Sequence, residues 1–383
     1  MRILILHSRY ASGPVSGENR VVDDEAELLR SAGHSVHVWA PMFESIGPRE
    51  IVGAAAGAVW SRRAVRIVRS LVGSFRPDVV HCHNLFPLLS PAAIRAAAEK
   101  APVVLTLHNY RLLCLPATFV RGGVPCEACL GRLPWRGVRY RCYRDSLPGS
   151  GALAASLVLH RALGSFDRVS LYLAVSDFVR TKHIEAGMPS GQFRVKPNFV
   201  WPRERRRGPG SYFAFVGRLS AEKGIGELVD AWRVIPAPLI LVGAGPEQHA
   251  LEQRLPENVI MRGAVPPSEV ADVLRGARGL VFPTRAYEGA PKAILEAFAS
   301  GVPVIASRVG ALKDLVADGE SGLLLSSLQA PQIAAAATRL LDDGESERMG
   351  EAAWRSWQTR YSPEQGLAEL EAAYHSVRGV HAA

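Results

Sequence analysis

Glu288 and Glu296 lie eight residues apart in the stretch Glu288-Gly-Ala-Pro-Lys-Ala-Ile-Leu-Glu296. The apolar run Gly279-Leu-Val-Phe before them predicts a short strand ending at Pro283. Pro291 then opens a helix that reads through Ala293, Leu295, Ala297 and Phe298 to a stop at Gly301. Gly289 and Ala290 carry too little side chain to keep a ligand from the backbone amides at that helix N-terminus, where an anion is favoured. A carboxylate on each side of that point suits a ligand with phosphates in its middle and hydroxyls at both ends. The same pair also fits two unrelated surface acids, and other residues in this half of the chain favour the site.

Arg218 and Lys223 are the first of these. Both fall in the turn Gly217-Arg-Leu-Ser-Ala-Glu-Lys-Gly224, after a strand over Tyr212–Val216. There they can clamp a diphosphate, Arg by its planar fork and Lys as a compact charge. Gly243-Ala-Gly245-Pro follows the next strand; it lacks a third glycine and so speaks against a dinucleotide-dependent dehydrogenase, but it leaves backbone room for the same phosphates. The first half places histidines at strand ends, in His81-Cys-His83-Asn84 and Thr106-Leu-His108-Asn109, with His108 the stronger candidate. Gly17, in the loop Ser12-Gly-Pro-Val-Ser-Gly-Glu-Asn19, would let a phosphate or sugar approach a helix start, or belongs to an ordinary loop.

Four of the five cysteines fall between 114 and 142: Cys114, Cys126, Cys129 and Cys142. Cys126-x-x-Cys129 has knuckle spacing, and four thiolates could close a structural zinc site in a segment, 109–150, that is short of aliphatics. Unmetallated thiols or a redox pair are the alternatives. The interleaved Arg121, Arg132, Arg136, Arg139, Arg141 and Arg144 with Trp135, Tyr140 and Tyr143 read as an anion-facing lid or as a solvated loop.

These residues need a frame. The chain has 383 residues, 48% of them hydrophobic and 21% charged, which points to two globular domains with full cores. Net charge is +9 with six lysines, so arginine carries the excess and anionic partners are favoured. No nucleic-acid-binding motif accompanies it, and nucleic acid is set aside as a partner. No apolar run reaches membrane-spanning length and the N-terminus has no signal core, which reads as a cytoplasmic protein. Strand and helix alternate through both halves, predicting an α/β protein with parallel sheets covered on both faces. In such sheets ligands sit beyond the C-terminal strand ends, where the candidates above lie. The reading assigns 1–200 to a first domain with 109–150 as an insertion, 201–210 to a linker, 211–360 to a second domain, and 361–383 to a terminal helix crossing back to the first. Helices are expected over 58–75, 91–100 and 153–166, among others. The 58–75 helix mixes Arg62, Arg63, Arg66 and Arg69 with Trp60 and aliphatics. It either packs on the sheet with a solvated arginine face or lies on anionic lipid at the inner face of a membrane.

With those residues in hand, the chain resembles the retaining glycosyltransferases of family 4. The resemblance rests on Phe215-Val-Gly-Arg-Leu-Ser-x-x-Lys223-Gly224, Leu241-Val-Gly-x-Gly, Glu288-x7-Glu296 and Ala299-x-Gly-x-Pro-Val-Ile-Ala306, in that order. Looser matches are Gly17, Asp78-Val-Val-His-Cys-His83, Thr106-x-His108 and Pro197-Asn198, and the cysteine segment looks like a subset of the family. The resemblance implies GT-B architecture, two Rossmann-like doubly wound domains with a cleft between them. It implies a nucleoside-diphosphate sugar as donor, and a saccharide, lipid-linked or small-molecule acceptor. Transfer would need no metal and no cofactor. By the family pattern Arg218 and Lys223 bind the diphosphate, Glu296 the ribose, and Glu288 the transferred sugar. His108 approaches the sugar, Gly17 the phosphate or acceptor side, and the region Arg262–Val265 the base; Gly243, Gly289, Ala290 and Pro291 line the donor. Lys292 departs from the apolar residue usual there. A non-catalytic nucleotide-sugar-binding subunit and an epimerase of the same fold are the competing readings.

Overall fold

The computed structural model describes residues 1–10, 17–43 and 56–378. Residues 12–16 of the glycine-bearing loop lie outside them. The chain forms two compact units. One comprises Met1–Phe119, Cys126–Lys196 and the chain from Leu367; the other comprises Val120–Pro125 and Pro197–Gly366.

The first unit is built on six parallel strands in the spatial order Phe193–Val195, Leu171–Ala174, Val103–Leu107, Val79–Cys82, Arg2–Leu6, Ser35–Trp39. The central strands are short aliphatic runs buried on both faces, as parallel sheets under helices demand. Ile3, Ile5, Val104 and Leu173 pack against Val22 and Leu29 of the helix Gly17–Ser31. The helix Pro363–Arg378 adds Leu370, Ala373, Tyr374 and Val377 to the same core. The chain runs from Arg2–Leu6 outward to Ser35–Trp39, then returns to the other side of Arg2–Leu6 at Val79–Cys82. The strand order therefore reverses between these two central strands, and His7 and His83 follow their C-terminal ends.

The second unit repeats the plan with the order Val259–Gly263, Leu239–Val242, Tyr212–Val216, Ala277–Phe282, Val304–Ser307, Gly322–Leu325, all parallel. Successive residues of one strand serve opposite faces. Phe213 and Phe215 pack with Leu228 and Trp232, whereas Ala214 packs with Leu295 and Phe298. Here the order reverses between Tyr212–Val216 and Ala277–Phe282. The helix expected from Pro291 spans Lys292–Ala299.

Three expectations about the frame change. The helix drawn over 58–75 starts at Arg62, because Ser61 is its cap: Ser61 Oγ accepts from Ala64 N at 3.2 Å. Its apolar face, Ala64, Val68 and Val72, is buried against the protein, Trp60 stacks on His160 with centroids 5.3 Å apart, and the arginines face outward. That is the sheet-packed arrangement. The helix drawn over 153–166 runs Leu147–Ala162 from a Ser146 cap. Residues 202–210, lacking regular structure, are fastened rather than loose: the Arg206 guanidinium donates to Pro209 O at 2.7 Å, Arg278 O at 3.1 Å and Ser346 Oγ at 3.0 Å. Among the described residues no helix is long and apolar enough to cross a membrane.

Because Leu370 is fully buried in the first unit, Leu370→Ala should destabilise that unit by about 2–5 kcal/mol. Hydrogen exchange should show lost protection in Arg2–Leu6 and Val79–Cys82. Unchanged protection there would show that the terminal helix contributes nothing to this core.

Candidate functional site

In the second unit the sequence-derived candidates gather at the C-terminal strand ends, on both sides of the reversal. Strand Tyr212–Val216 runs into Gly217-Arg218, and strand Leu239–Val242 into Gly243-Ala244-Gly245. The loops interlock: Gly217 N donates to Val242 O at 3.0 Å, Leu219 N to Ala244 O at 3.0 Å, and Gly243 N to Gly263 O at 2.8 Å. Gly243 has φ 139°, and a Cβ there would sit 1.8 Å from Gly217 O, so only glycine fits. Arg218 and Arg262 are exposed and Val265 is half-buried.

Across the reversal, the Lys223 ammonium pairs with Glu288 Oε1. Thr284 Oγ1 lies 3.3 Å from that same oxygen, and Lys223 Nζ stands 5.1 Å from the Phe282 ring centre. Arg285 N donates to Glu222 O at 2.8 Å, tying the two loops together. Gly289 is buried and Ala290 and Pro291 are half-buried; Asn198 Nδ2 donates to Ala290 O at 3.0 Å and holds that turn. Pro291 occupies the cap position of Lys292–Ala299 without any side-chain capping bond, so the first helical amides are not consumed by a cap. Lys292, the first helical residue, is buried rather than solvated, and Glu296 is buried one turn on, 3.8 Å from the Arg203 guanidinium. A buried cation at a helix N-terminus opposes the helix dipole, which makes Lys292 a candidate that the acid pair alone does not reveal.

In the first unit His108 is half-buried beyond strand Val103–Leu107. It lines a small pocket with His83, Asn84, Thr106, Asn109 and Arg111. Its Nε2 is 2.8 Å from His83 Nδ1, with the rings stacked at centroids 5.1 Å apart. Gly17 is the first residue of its helix, where a Cβ would meet nothing within 4 Å. Its neighbour Glu18 accepts from Asn109 Nδ2, joining that helix start to the His108 loop. Burial raises the Glu18 carboxyl above its usual range, against the pull of Asn109 and Arg111.

Behind His108 lie residues that motif reading missed. Glu25 and Lys196 are both fully buried, and the Lys196 ammonium pairs with Glu25 Oε1. His81 is held between Tyr374 OH at 2.8 Å and Thr106 Oγ1 at 2.7 Å. Glu25 had a signal: it shares the helical face of Val21, Val22, Leu28 and Leu29, all buried, where a carboxylate needs a partner. That partner, 171 residues away in sequence, leaves no local trace.

The tetrathiolate expected from Cys114, Cys126, Cys129 and Cys142 is not assembled. Among the described residues, the set of metal-type side chains that converges is Glu25, His81 and His83, without a cysteine. Cys142 packs instead against the apolar cluster of Phe86, Leu115, Leu153, Ala154 and Leu157, which ties the segment to the rest of the first unit. Burial pushes the Cys114 thiol up to about 11. The neighbouring arginines 132, 136, 139, 141 and 144, with Trp135 and Tyr140, are exposed.

Comparison with known proteins fits this geometry. Residues 15–203 match the family described as Glycosyltransferase Family 4, and residues 210–343 that described as Glycosyl transferases group 1. The chain is 37% identical over 371 residues to the GDP-mannose-dependent alpha-mannosyltransferase of Corynebacterium glutamicum, covering 92% of this chain and 84% of that protein. It is 26% identical over 387 residues to the phosphatidyl-myo-inositol mannosyltransferase of Mycolicibacterium smegmatis, covering 92% and 88%. Among solved structures, sucrose-phosphate synthase of Thermosynechococcus elongatus aligns with TM-score 0.73 at 18% identity, over 99% of this chain and 100% of that one. Anabaena HepE in complex with UDP and glucose aligns with TM-score 0.66 at 17% identity, over 98% and 100%. At such identities the likeness is one of fold, and the fold is GT-B.

The buried histidines predict a pH response confined to the first unit. Burial lowers His7 to about 4 and His81 to about 3, and holds His83 and His108 well below the ordinary range. Unfolded, each would bind a proton near pH 6.5. Between about pH 6.5 and 4 the unfolded state therefore carries more protons, so stability is complete above that window and is lost as pH falls through it. The second unit holds one histidine, the exposed His249. Hydrogen exchange corrected for intrinsic rate should show first-unit strands losing protection from pH 6.5 to 4.5 before second-unit strands. Equal losses would contradict it.

Proposed function

The chain belongs to glycosyltransferase family 4, and on that premise we propose that it transfers a mannosyl group from GDP-mannose to an acceptor hydroxyl with retention of configuration. The observation that carries the donor site is the Lys223–Glu288 pair at the strand reversal of the second unit, flanked by Arg218 and the uncapped helix N-terminus. The mannosyl and guanosine parts come from the name of the 37%-identical relative, a GDP-mannose-dependent alpha-mannosyltransferase. Transfer from an α-linked donor to an α-linked product keeps the anomeric configuration.

The chemistry follows from charge. As the bond between the anomeric carbon and the phosphate oxygen breaks, positive charge grows on the sugar and negative charge on the departing diphosphate. Arg218, Lys223 and the amides of Gly289, Ala290 and Lys292 stabilise the latter, with the Lys292 ammonium as a further cation. Preorganised groups of this kind lower a barrier by several kcal/mol. Lys223 is pre-set by Glu288, so little reorganisation remains when the phosphates arrive. Glu288 then takes hydroxyls of the sugar and Glu296 those of the ribose; the Gly243 turn and the region of Arg262 and Val265 border the base. Same-face attack by the acceptor fits retention, with the leaving phosphate accepting the acceptor's proton. Protein cations supply the charge, so transfer proceeds without a divalent metal. The acceptor is a saccharide, a lipid-linked saccharide or a small metabolite; an acceptor of the lipid-linked kind would bring the protein to a membrane surface.

Thermal unfolding with guanosine, uridine, adenosine and thymidine diphosphate sugars tests the donor. GDP-mannose at a hundred times its dissociation constant should stabilise the state that binds it by about 2.7 kcal/mol, and Lys223→Ala should abolish the shift. Lys223→Ala should also slow mannosyl transfer by more than about tenfold, and transfer should persist in EDTA. A shift with another base would reassign the donor. Undiminished turnover in Lys223→Ala would remove that residue from the site.

A further inference from the structure

Two buried polar atoms in the first unit face each other without a hydrogen-bond partner among the described residues: Glu25 Oε2 and His83 Nε2. They stand 3.6 Å apart, just beyond hydrogen-bond range, and both side chains are fully buried. Leaving two such groups unsatisfied is costly. One assignment of protons satisfies both. Lys196 can only donate, and its ammonium engages Glu25 Oε1; the carboxylate of such an ion pair accepts on both oxygens. A proton on His83 Nε2 then points at Glu25 Oε2. His83 is neutral, with burial first among the causes, so its Nδ1 is left as an acceptor. Across the 2.8 Å contact His108 Nε2 must donate. The remaining nitrogen of His108, Nδ1, carries a lone pair.

A cation gathered by Glu25, His81 and His83 is the competing occupant, since their ligand atoms lie within 4.8 Å of one another. The charge count opposes it. Lys196 already neutralises Glu25, both His81 nitrogens are engaged by hydroxyls, and a divalent ion would leave two uncompensated charges in a fully buried site. A shared proton needs no such compensation.

We infer that Glu25 and His83 are positioning residues acting through His108: the chain Lys196–Glu25–His83–His108 holds the His108 imidazole in one tautomer, with Nε2 donating inward and Nδ1 presented as a hydrogen-bond acceptor. Its bearing on sugar transfer rests on the reading above; the tautomer itself does not. In transfer, the Nδ1 lone pair accepts a hydrogen bond from a substrate hydroxyl, whereas the opposite tautomer would present an N–H there instead. Glu25→Gln inverts the relay. Lys196 must take the amide oxygen, so the amide NH2 faces His83 Nε2. His83 then carries its proton on Nδ1, donates to His108 Nε2, and drives the His108 proton to Nδ1.

Two-bond nitrogen–proton correlation spectra of histidine-labelled protein read tautomers directly, with His83→Asn and His108→Asn assigning the signals. The wild type should show His83 and His108 both protonated at Nε2, and Glu25→Gln should move both protons to Nδ1. A wild-type His108 protonated at Nδ1 would overturn the inference even if Glu25→Gln fails to fold, as would an unchanged His108 tautomer in a folded Glu25→Gln. Kinetics separates the relay from its use: Glu25→Gln should lower kcat at least about tenfold, as wrong-tautomer variants do, with KM for the donor sugar little changed. An inverted tautomer with undiminished kcat would sink the role in transfer, while a wild type without transferase activity would sink the functional reading and leave the tautomer standing.

Discussion

The Lys223–Glu288 ion pair depends on a backbone approach that a single methyl group would prevent. Gly224 sits in the left-handed region at φ 67°, and a Cβ there would lie 1.9 Å from the Pro283 carbonyl oxygen. The loop leaving strand Tyr212–Val216 can therefore press against the loop leaving Ala277–Phe282, across the point where the strand order reverses. That contact brings a lysine from one loop to a glutamate from the other. Arg218 lies in the first of these loops, and the helix Lys292–Ala299, which has no side-chain cap, begins just after the second. The glycine is thus a condition for the ion pair, and the proposed donor site rests on that pair.

The first unit solves a different problem. Its sheet is buried on both faces, yet Glu25, His81, His83 and Lys196 lie inside it. Removing one partner of a buried ion pair typically costs about 3–5 kcal/mol, so the network constrains the fold as well as the site. Several elements hold it: the helix Gly17–Ser31 carries Glu25, the strand Val79–Cys82 carries His81 and leads into His83, Thr106 and Tyr374 fix His81 from a neighbouring strand and the terminal helix, and Lys196 follows the strand Phe193–Val195. Fully satisfied polar networks of this kind rigidify the core around them.

Much of this was legible in the sequence, for reasons that can be traced to particular residues. The strands at Ile3–Leu6, Val103–Leu107 and Tyr212–Val216 are short aliphatic or aromatic runs between polar turns, and of the turn residues the motifs singled out, Lys223 and Glu288 meet as an ion pair. The family followed from those motifs. Helix limits were less legible, because Ser61 and Ser146 each cap a helix that the apolar pattern alone starts elsewhere. Glu25 stood out on an apolar helical face, but nothing local in the sequence pointed to Lys196 as its partner. The cysteine spacing alone could not say where the four thiols would lie, since it carries nothing about the cluster of Leu115, Leu153 and Leu157 against which Cys142 packs. Residues 202–210 read as a linker from composition, and Arg206 binds them to Arg278 and Ser346 of the second unit.

The most direct test of the central claim is a crystal structure of the protein with GDP. The account predicts the diphosphate within hydrogen-bond distance of the Arg218 guanidinium, the Lys223 ammonium and the amides at the start of Lys292–Ala299, with the guanine beside Arg262 and Val265. GDP bound elsewhere on the second unit, or a diphosphate held away from Lys223 with the Lys223–Glu288 pair undisturbed, would contradict it.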